Sequence, residues 1–149
     1  MSNNSVTLHR VLTASPEKVF KAFSNEDAMA FWLPPYGFTC KVHQLDFKIG
    51  GGHKMSFTNY TTGNGHSFGG KYLEIKTNEL IRYTDKFDDP NLPGEMTVTV
   101  RLSKVSCGTD LQIVQEGIPE VIPAEMCYLG WQESLEKLKK LVEPNIPDA

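Results

Sequence analysis

The sequence predicts an α+β domain in which a curved antiparallel sheet of about seven strands wraps a long C-terminal helix, in the order β-α-α-β6-α. Three observations predict it. Residues 38–117 alternate apolar and polar side chains with period two between Gly-rich or Asn/Asp-rich breaks. Residues 124–142 instead place apolar side chains at offsets of three and four. Two helix start signals follow closely on one another before residue 38.

The first strand is Val6–Leu12, alternating and rich in β-branched residues. Ser15-Pro16-Glu17 then supplies an N-cap, a proline at the first helical position and a carboxylate at the positive end of the helix dipole. Val19, Phe20 and Phe23 form the apolar stripe of this short helix. Ser24 and Asn25 cap a second, with Ala28, Phe31 and Trp32 repeating the spacing until Pro34-Pro35 stops it. Six strands are expected at residues 38–47, 53–60, 66–75, 79–85, 96–105 and 110–115. Gly50-Gly51 permits a tight turn between the first two, which would put His43 opposite Thr58 and His53 opposite Lys48.

The last helix carries Ala124, Cys127, Tyr128, Trp131, Leu135, Leu138, Leu141 and Val142 on one face, after Pro123 and before Glu143-Pro144. Glu133 with Lys137 and Glu136 with Lys140 stand at i, i+4 on the opposite face. Seven strands cannot bury one face alone, so this helix should lie across them. With 149 residues, the chain is expected to be a single domain with a core over about residues 6–142.

Composition narrows the function classes. Hydrophobic residues are 40% and charged residues 22%, a globular balance. A net charge of −3 offers no basic field for nucleic acid. No apolar stretch approaches the ~20 residues that span a bilayer. Met1-Ser2-Asn3-Asn4-Ser5 has neither the basic start nor the apolar core of a secretory leader, so a cytoplasmic location is expected. Cys40, Cys107 and Cys127 show no C-x-x-C spacing, and His9, His43, His53 and His66 no metal-ligand spacing. No metal and no cofactor are expected. The histidines read as exposed. No G-x-S-x-G elbow is present, and Gly50-Gly51-Gly52 precedes a strand rather than a helix, a poor phosphate cradle.

The order of elements, together with Ala14-Ser15-Pro16-Glu17-Lys18-Val19-Phe20, Phe31-Trp32, Gly37-Phe38, Asp46-Phe47-Lys48-Ile49-Gly50-Gly51, Gly70-Lys71-Tyr72-Leu73-Glu74-Ile75, Gly108-Thr109-Asp110-Leu111 and Gly130-Trp131-Gln132-Glu133-Ser134-Leu135, resembles the START-like (SRPBCC) helix-grip superfamily. Within it, the chain is similar to the C-terminal domain of the activator of the heat-shock-protein-90 ATPase. The resemblance implies a scaffold that binds hydrophobic or amphipathic small molecules between sheet and helix, with no fixed catalytic set. It also implies two alternatives: co-regulation of a chaperone ATPase by protein contact, and cyclase- or hydrolase-like chemistry in the same cavity.

Strand alternation nominates the residues that would face such a space. They are Met55, Phe57, Val98, Val100, Leu111 and Ile113, joined by Tyr128, Trp131 and Leu135 from the helix. Leu102 shares their parity. Among polar residues of the same parity, Asn59 and Gln115 are either pocket groups or exposed strand ends, and His53, beside the glycine turn, reads as an exposed end. Trp32-Leu33-Pro34-Pro35-Tyr36 is an exposed apolar stretch, with Trp32 and Tyr36 as a lid over the cavity mouth or a contact patch. Asp46, Asp85 and Glu116 are acid/base candidates by position in strands, Asp46 being explained equally by a partner such as Lys48 or Arg101.

Overall fold

A computed structural model describes residues 4–148, so the first three residues of the N-terminus read above lie outside it. The elements run β1 (Val6–Leu12), α1 (Pro16–Ala22), α2 (Glu26–Trp32), β2 (Phe38–Leu45), β3 (Gly52–Asn59), β4 (Gly65–Lys76), β5 (Leu80–Phe87), β6 (Met96–Val105), β7 (Gly108–Glu116) and α3 (Ala124–Val142). All seven strands join one antiparallel sheet in the order β1-β7-β6-β5-β4-β3-β2. The two short helices carry the chain from one edge of the sheet to the other, and β2 to β7 then return as a meander. This is the helix-grip architecture, with α3 against the concave face.

Both short helices start where their caps require. Ser15 Oγ accepts the Lys18 N–H at 3.3 Å, and Asn25 Oδ1 accepts the Ala28 N–H at 2.8 Å. The C-terminal half of α3 buries Leu135, Leu138 and Val142 in a core with Val98, Val100, Leu111 and Ile113, closed on the other side by Val19, Phe20 and Phe23 of α1 and its end. The charged face of α3 is used against other elements. Glu133 Oε1 accepts the Tyr36 N–H at 3.1 Å, Glu136 lies 3.9 Å from Arg10, and the Lys137 ammonium sits 5.9 Å from the Phe31 ring centroid.

Several expectations are corrected. The β2–β3 connection is not a two-residue turn at Gly50-Gly51. β2 ends at Leu45, and a six-residue loop closes through Asp46 N–H to the Gly52 carbonyl (2.9 Å) and Gly51 N–H to the Lys48 carbonyl (2.8 Å). Register shifts accordingly: Thr39 faces Thr58, Leu45 faces His53, and His43 occupies a bulge between Val42 and Gln44. Gly51 is required there, since a Cβ would lie 2.1 Å from the Asp46 carbonyl oxygen. Asp46 itself is exposed and lies 3.7 Å from Lys48.

Trp32 is neither exposed nor a lid. It is 0% accessible, donates its indole N–H to the Ala22 carbonyl at 2.8 Å and packs edge-on against Phe23. Pro34-Pro35 does end the helix, but Trp32, its last residue, is held inward by Ala22 and Phe23, and only Tyr36 of the pair is exposed. Tyr128 and Leu141, placed on the buried face of α3 by spacing, are 40% and 38% accessible. The stripe that α3 buries runs instead through Ser134, Leu135, Leu138 and Val142.

Candidate functional site

The N-terminal half of α3 does not close on the sheet. Between it, α2 and strands β3 to β7 lies a cavity of about 200 Å³. Its walls are mostly apolar: Met29 and Leu33 from the α2 region, Met55 and Phe57 from β3, Phe68 and Tyr72 from β4, Ile81, Tyr83 and Phe87 from β5, Met96 from β6 and Trp131 from α3. Tyr72 and Tyr83 stack edge-on at 5.9 Å between centroids, as do Phe57 and Phe68 at 4.7 Å. An apolar cavity of about 150 Å³ suffices to hold a benzene ring, which sets the scale of an occupant. Three methionines in the wall add side chains that re-pack at small cost.

Four of the residues nominated by alternation line this cavity: Met55, Phe57, Gln115 and Trp131. Val98, Val100, Leu111, Ile113 and Leu135 share the inward face but lie in the packed core with the C-terminal half of α3 and with α1, and do not line this cavity. Asn59 is turned the other way at the end of β3. Its Oδ1 accepts the Thr61 and Thr62 N–H groups and so shapes the β3–β4 turn. Tyr128 and Tyr36 point to solvent, and Trp32 lies behind Phe23, whose side chain forms part of the wall.

Polar groups in the wall were legible only in part. Gln115 is buried, accepts the Trp131 indole N–H at 2.9 Å and turns its amide toward Met96 Sδ at 3.3 Å. His53, expected at an exposed strand end, is 5% accessible. Its ring crosses the neighbouring strand at Gly70, its register partner, and Nε2–H donates to the Thr84 carbonyl on β5 at 3.0 Å. A Cβ at Gly70 would lie 2.0 Å from that carbonyl oxygen. Only glycine leaves this passage open. Thr84 Oγ1 meanwhile takes the Lys71 N–H at 3.0 Å in place of a backbone acceptor. Burial lowers the His53 pKa below its ordinary value, opposed by the Thr84 carbonyl.

Asp85 also faces the cavity, two residues after Tyr83 on the same side of β5. Burial raises its pKa from 3.8 to about 7, eased slightly by the Lys86 backbone N–H. Burial likewise raises Tyr72 and Tyr83, each further raised by the Asp85 charge. Two buried side-chain atoms lack a hydrogen-bond partner among the described residues, His53 Nδ1 and Asp85 Oδ1, and both belong to this wall. His66 stands at the mouth, edge-on to Phe57. Among the described residues no cluster of His, Cys, Asp or Glu has metal-binding geometry, and no helix is long and apolar enough to cross a membrane.

Ser134 was missed as a positioning residue. Its Oγ donates to the Leu33 carbonyl at 2.6 Å, holding the end of α2 against α3 at the cavity. A lone serine inside an apolar helical stripe is the signal that could have found it.

The model of the family described as Activator of Hsp90 ATPase homolog 1-like protein matches residues 13–143. No curated protein matches the chain. A crystal structure of a protein from Chromobacterium violaceum is 56% identical and superimposes with a TM-score of 0.94, covering 95% of this chain and 99% of that one. An AHSA1-like protein from Aeromonas hydrophila, solved by NMR, is 18% identical with a TM-score of 0.76, over 93% and 92% of the two chains. A Rhodobacter sphaeroides protein is 20% identical at a TM-score of 0.79, over 91% and 90%. The last two share the fold. With the family model spanning almost its whole length, this chain belongs to the Activator of Hsp90 ATPase homolog 1-like family of the START-like superfamily.

Proposed function

We propose that the protein binds a small, largely apolar molecule, of about one ring or a short chain, in the cavity beneath the N-terminal half of α3. The observation that carries this reading is the pairing, in one cavity, of aromatic and methionine walls with two buried polar atoms that have no partner among the described residues. Apolar area supplies affinity, and the polar atoms orient the guest. The cavity volume sets an upper size: long fatty acids and polyketides exceed about 200 Å³ unless the wall moves.

The two indole N–H groups provide the test. Trp131 lines the cavity, whereas Trp32 is buried on the Ala22 carbonyl and serves as internal reference. Titration with benzene, indole and short alcohols, followed by proton–nitrogen NMR and assigned with Trp131→Phe, should move the Trp131 resonance and leave Trp32 in place. A Trp131 signal that no probe moves counts against the reading.

Acid–base chemistry on the bound molecule is a second reading, favoured by one observation: the Asp85 carboxyl faces the cavity with its pKa near 7. Turnover lost in Asp85→Asn while binding persists would distinguish a reacting occupant from a carried one.

A further inference from the structure

The two unpartnered atoms narrow the chemistry of the guest, given the cavity-binding reading above. His53 Nε2 is committed as donor to the Thr84 carbonyl, so in the neutral ring Nδ1 is an acceptor. Asp85 Oδ1 is an acceptor when the carboxyl is ionised. Among the described residues neither atom has a partner, so the two do not satisfy one another, and the Tyr72 and Tyr83 hydroxyls do not reach them. What is missing is a donor.

Charge points the same way. Among the described residues the cavity wall contains no lysine and no arginine, so no fixed cation lines it beside Asp85. The polar and titratable groups that share the cavity wall with it are His53 on β3, His66 and Tyr72 on β4, Tyr83 on its own strand, Gln115 on β7 and, from α3, Trp131, Ser134 and Cys127. None carries positive charge when His53 and His66 are neutral. A buried carboxylate without a countercharge is costly, and a ring-lined site is favourable for a cation, whose attraction to aromatic faces grows when water is excluded.

We propose that the cavity takes a protonated primary amine on an apolar, one-ring body, with the ammonium between His53 and Asp85 and the body against the Phe and Met walls. A primary ammonium offers three N–H donors and no acceptor, which matches two vacant acceptors and a vacant countercharge. The hydrocarbon part of such a molecule fits the volume available.

The experiment compares four probes on one skeleton: phenethylamine, phenethyl alcohol, phenylacetate and ethylbenzene, by calorimetry and the Trp131 indole resonance. At pH 8 phenethylamine should bind at least about tenfold more tightly than the alcohol, with phenylacetate weakest. Its affinity should fall roughly tenfold between pH 8 and pH 6 as Asp85 takes up a proton, while that of ethylbenzene stays level. Asp85→Asn should abolish both the amine preference and the pH dependence. The wild-type comparison needs no variant, so a poorly folding Asp85→Asn leaves the test intact. If the alcohol or ethylbenzene equals the amine, or phenylacetate exceeds it, the amine inference fails and the cavity reading stands. If none binds and the Trp131 signal is unmoved, both fail.

Discussion

The indole N–H of Trp131 donates to Gln115 Oε1 at 2.9 Å, which ties α3 to β7 along one side of the cavity. Gln115 is 9% accessible, so bulk water does not readily replace its donor. Trp131→Phe should strand the Gln115 carbonyl and Gln115→Leu should strand the indole N–H, each costing about 1–3 kcal/mol. The double variant should cost less than the sum by about 1 kcal/mol, read from urea denaturation. Strict additivity would show that the bond contributes nothing to stability.

Gly70 and Gly130 make opposite predictions from the same substitution. A methyl at Gly70 collides with backbone, 2.0 Å from the Thr84 carbonyl oxygen, on the path His53 uses to reach that atom. Gly70→Ala should lose at least about 2 kcal/mol and free the His53 ring. At Gly130, inside α3, a methyl meets nothing within 4 Å. Gly130→Ala should therefore gain up to about 1 kcal/mol from helix propensity alone. Thermal melts of the two variants give the signs directly.

These two glycines also show how far the sequence could be read. Both stand in the fragments that carried the family resemblance, and the caps at Ser15 and Asn25, the period of α3 and the strand alternation all led to the observed elements. What alternation supplies is a face, not a volume. Val100 and Met55 have the same inward parity, yet one lies in packed core and the other at a void, because α3 approaches the sheet closely only along its C-terminal half. The glycine before His53 marks it, by sequence, as an exposed strand end. The residue that buries it is a different glycine, Gly70, on the next strand, a pairing that depends on register. That register runs without a break from Gly52 opposite Lys71 to Thr58 opposite Gly65, so it follows from the β3–β4 turn and not from Gly50-Gly51. Trp32 was hidden for a similar reason, since two prolines mark the end of a helix without saying which way its last side chain points.

Asp85 should make stability fall as pH rises. In the unfolded chain its carboxyl ionises near 3.8, and in the fold near 7, so between these values the folded state holds more protons. Stability is then lost from about pH 4 to about pH 7 and levels off above. Asp85→Asn removes this loss and should be more stable than wild type at pH 8, by on the order of 2–4 kcal/mol. The His53 effect has the opposite sign, since its lowered pKa makes stability rise with pH up to 6.5. Comparing the variant with wild type at each pH cancels that contribution. Equal stabilities at pH 8 would mean that the Asp85 carboxylate is well solvated.

Cys127 offers a reporter for the cavity that is independent of the indoles. Of the three thiols, Cys107 is exposed in the β6–β7 turn, while Cys40 and Cys127 are half-buried. Burial pushes Cys40 up to about 11 and raises Cys127 as well, so both present little thiolate at neutral pH. Against the ordinary value of 9.0, Cys40 carries roughly a hundredfold less thiolate. Ellman's reagent should therefore titrate one fast thiol, removed by Cys107→Ser, and two slow ones. Cys127 lines the cavity, whereas Cys40 packs against the Met29, Met55 and Phe68 cluster without lining it. A cavity occupant should slow the Cys127 reaction and leave Cys40 unchanged, as resolved by peptide mass spectrometry. Equal slowing of both would indicate general stabilisation of the fold, and no slowing would place the occupant elsewhere.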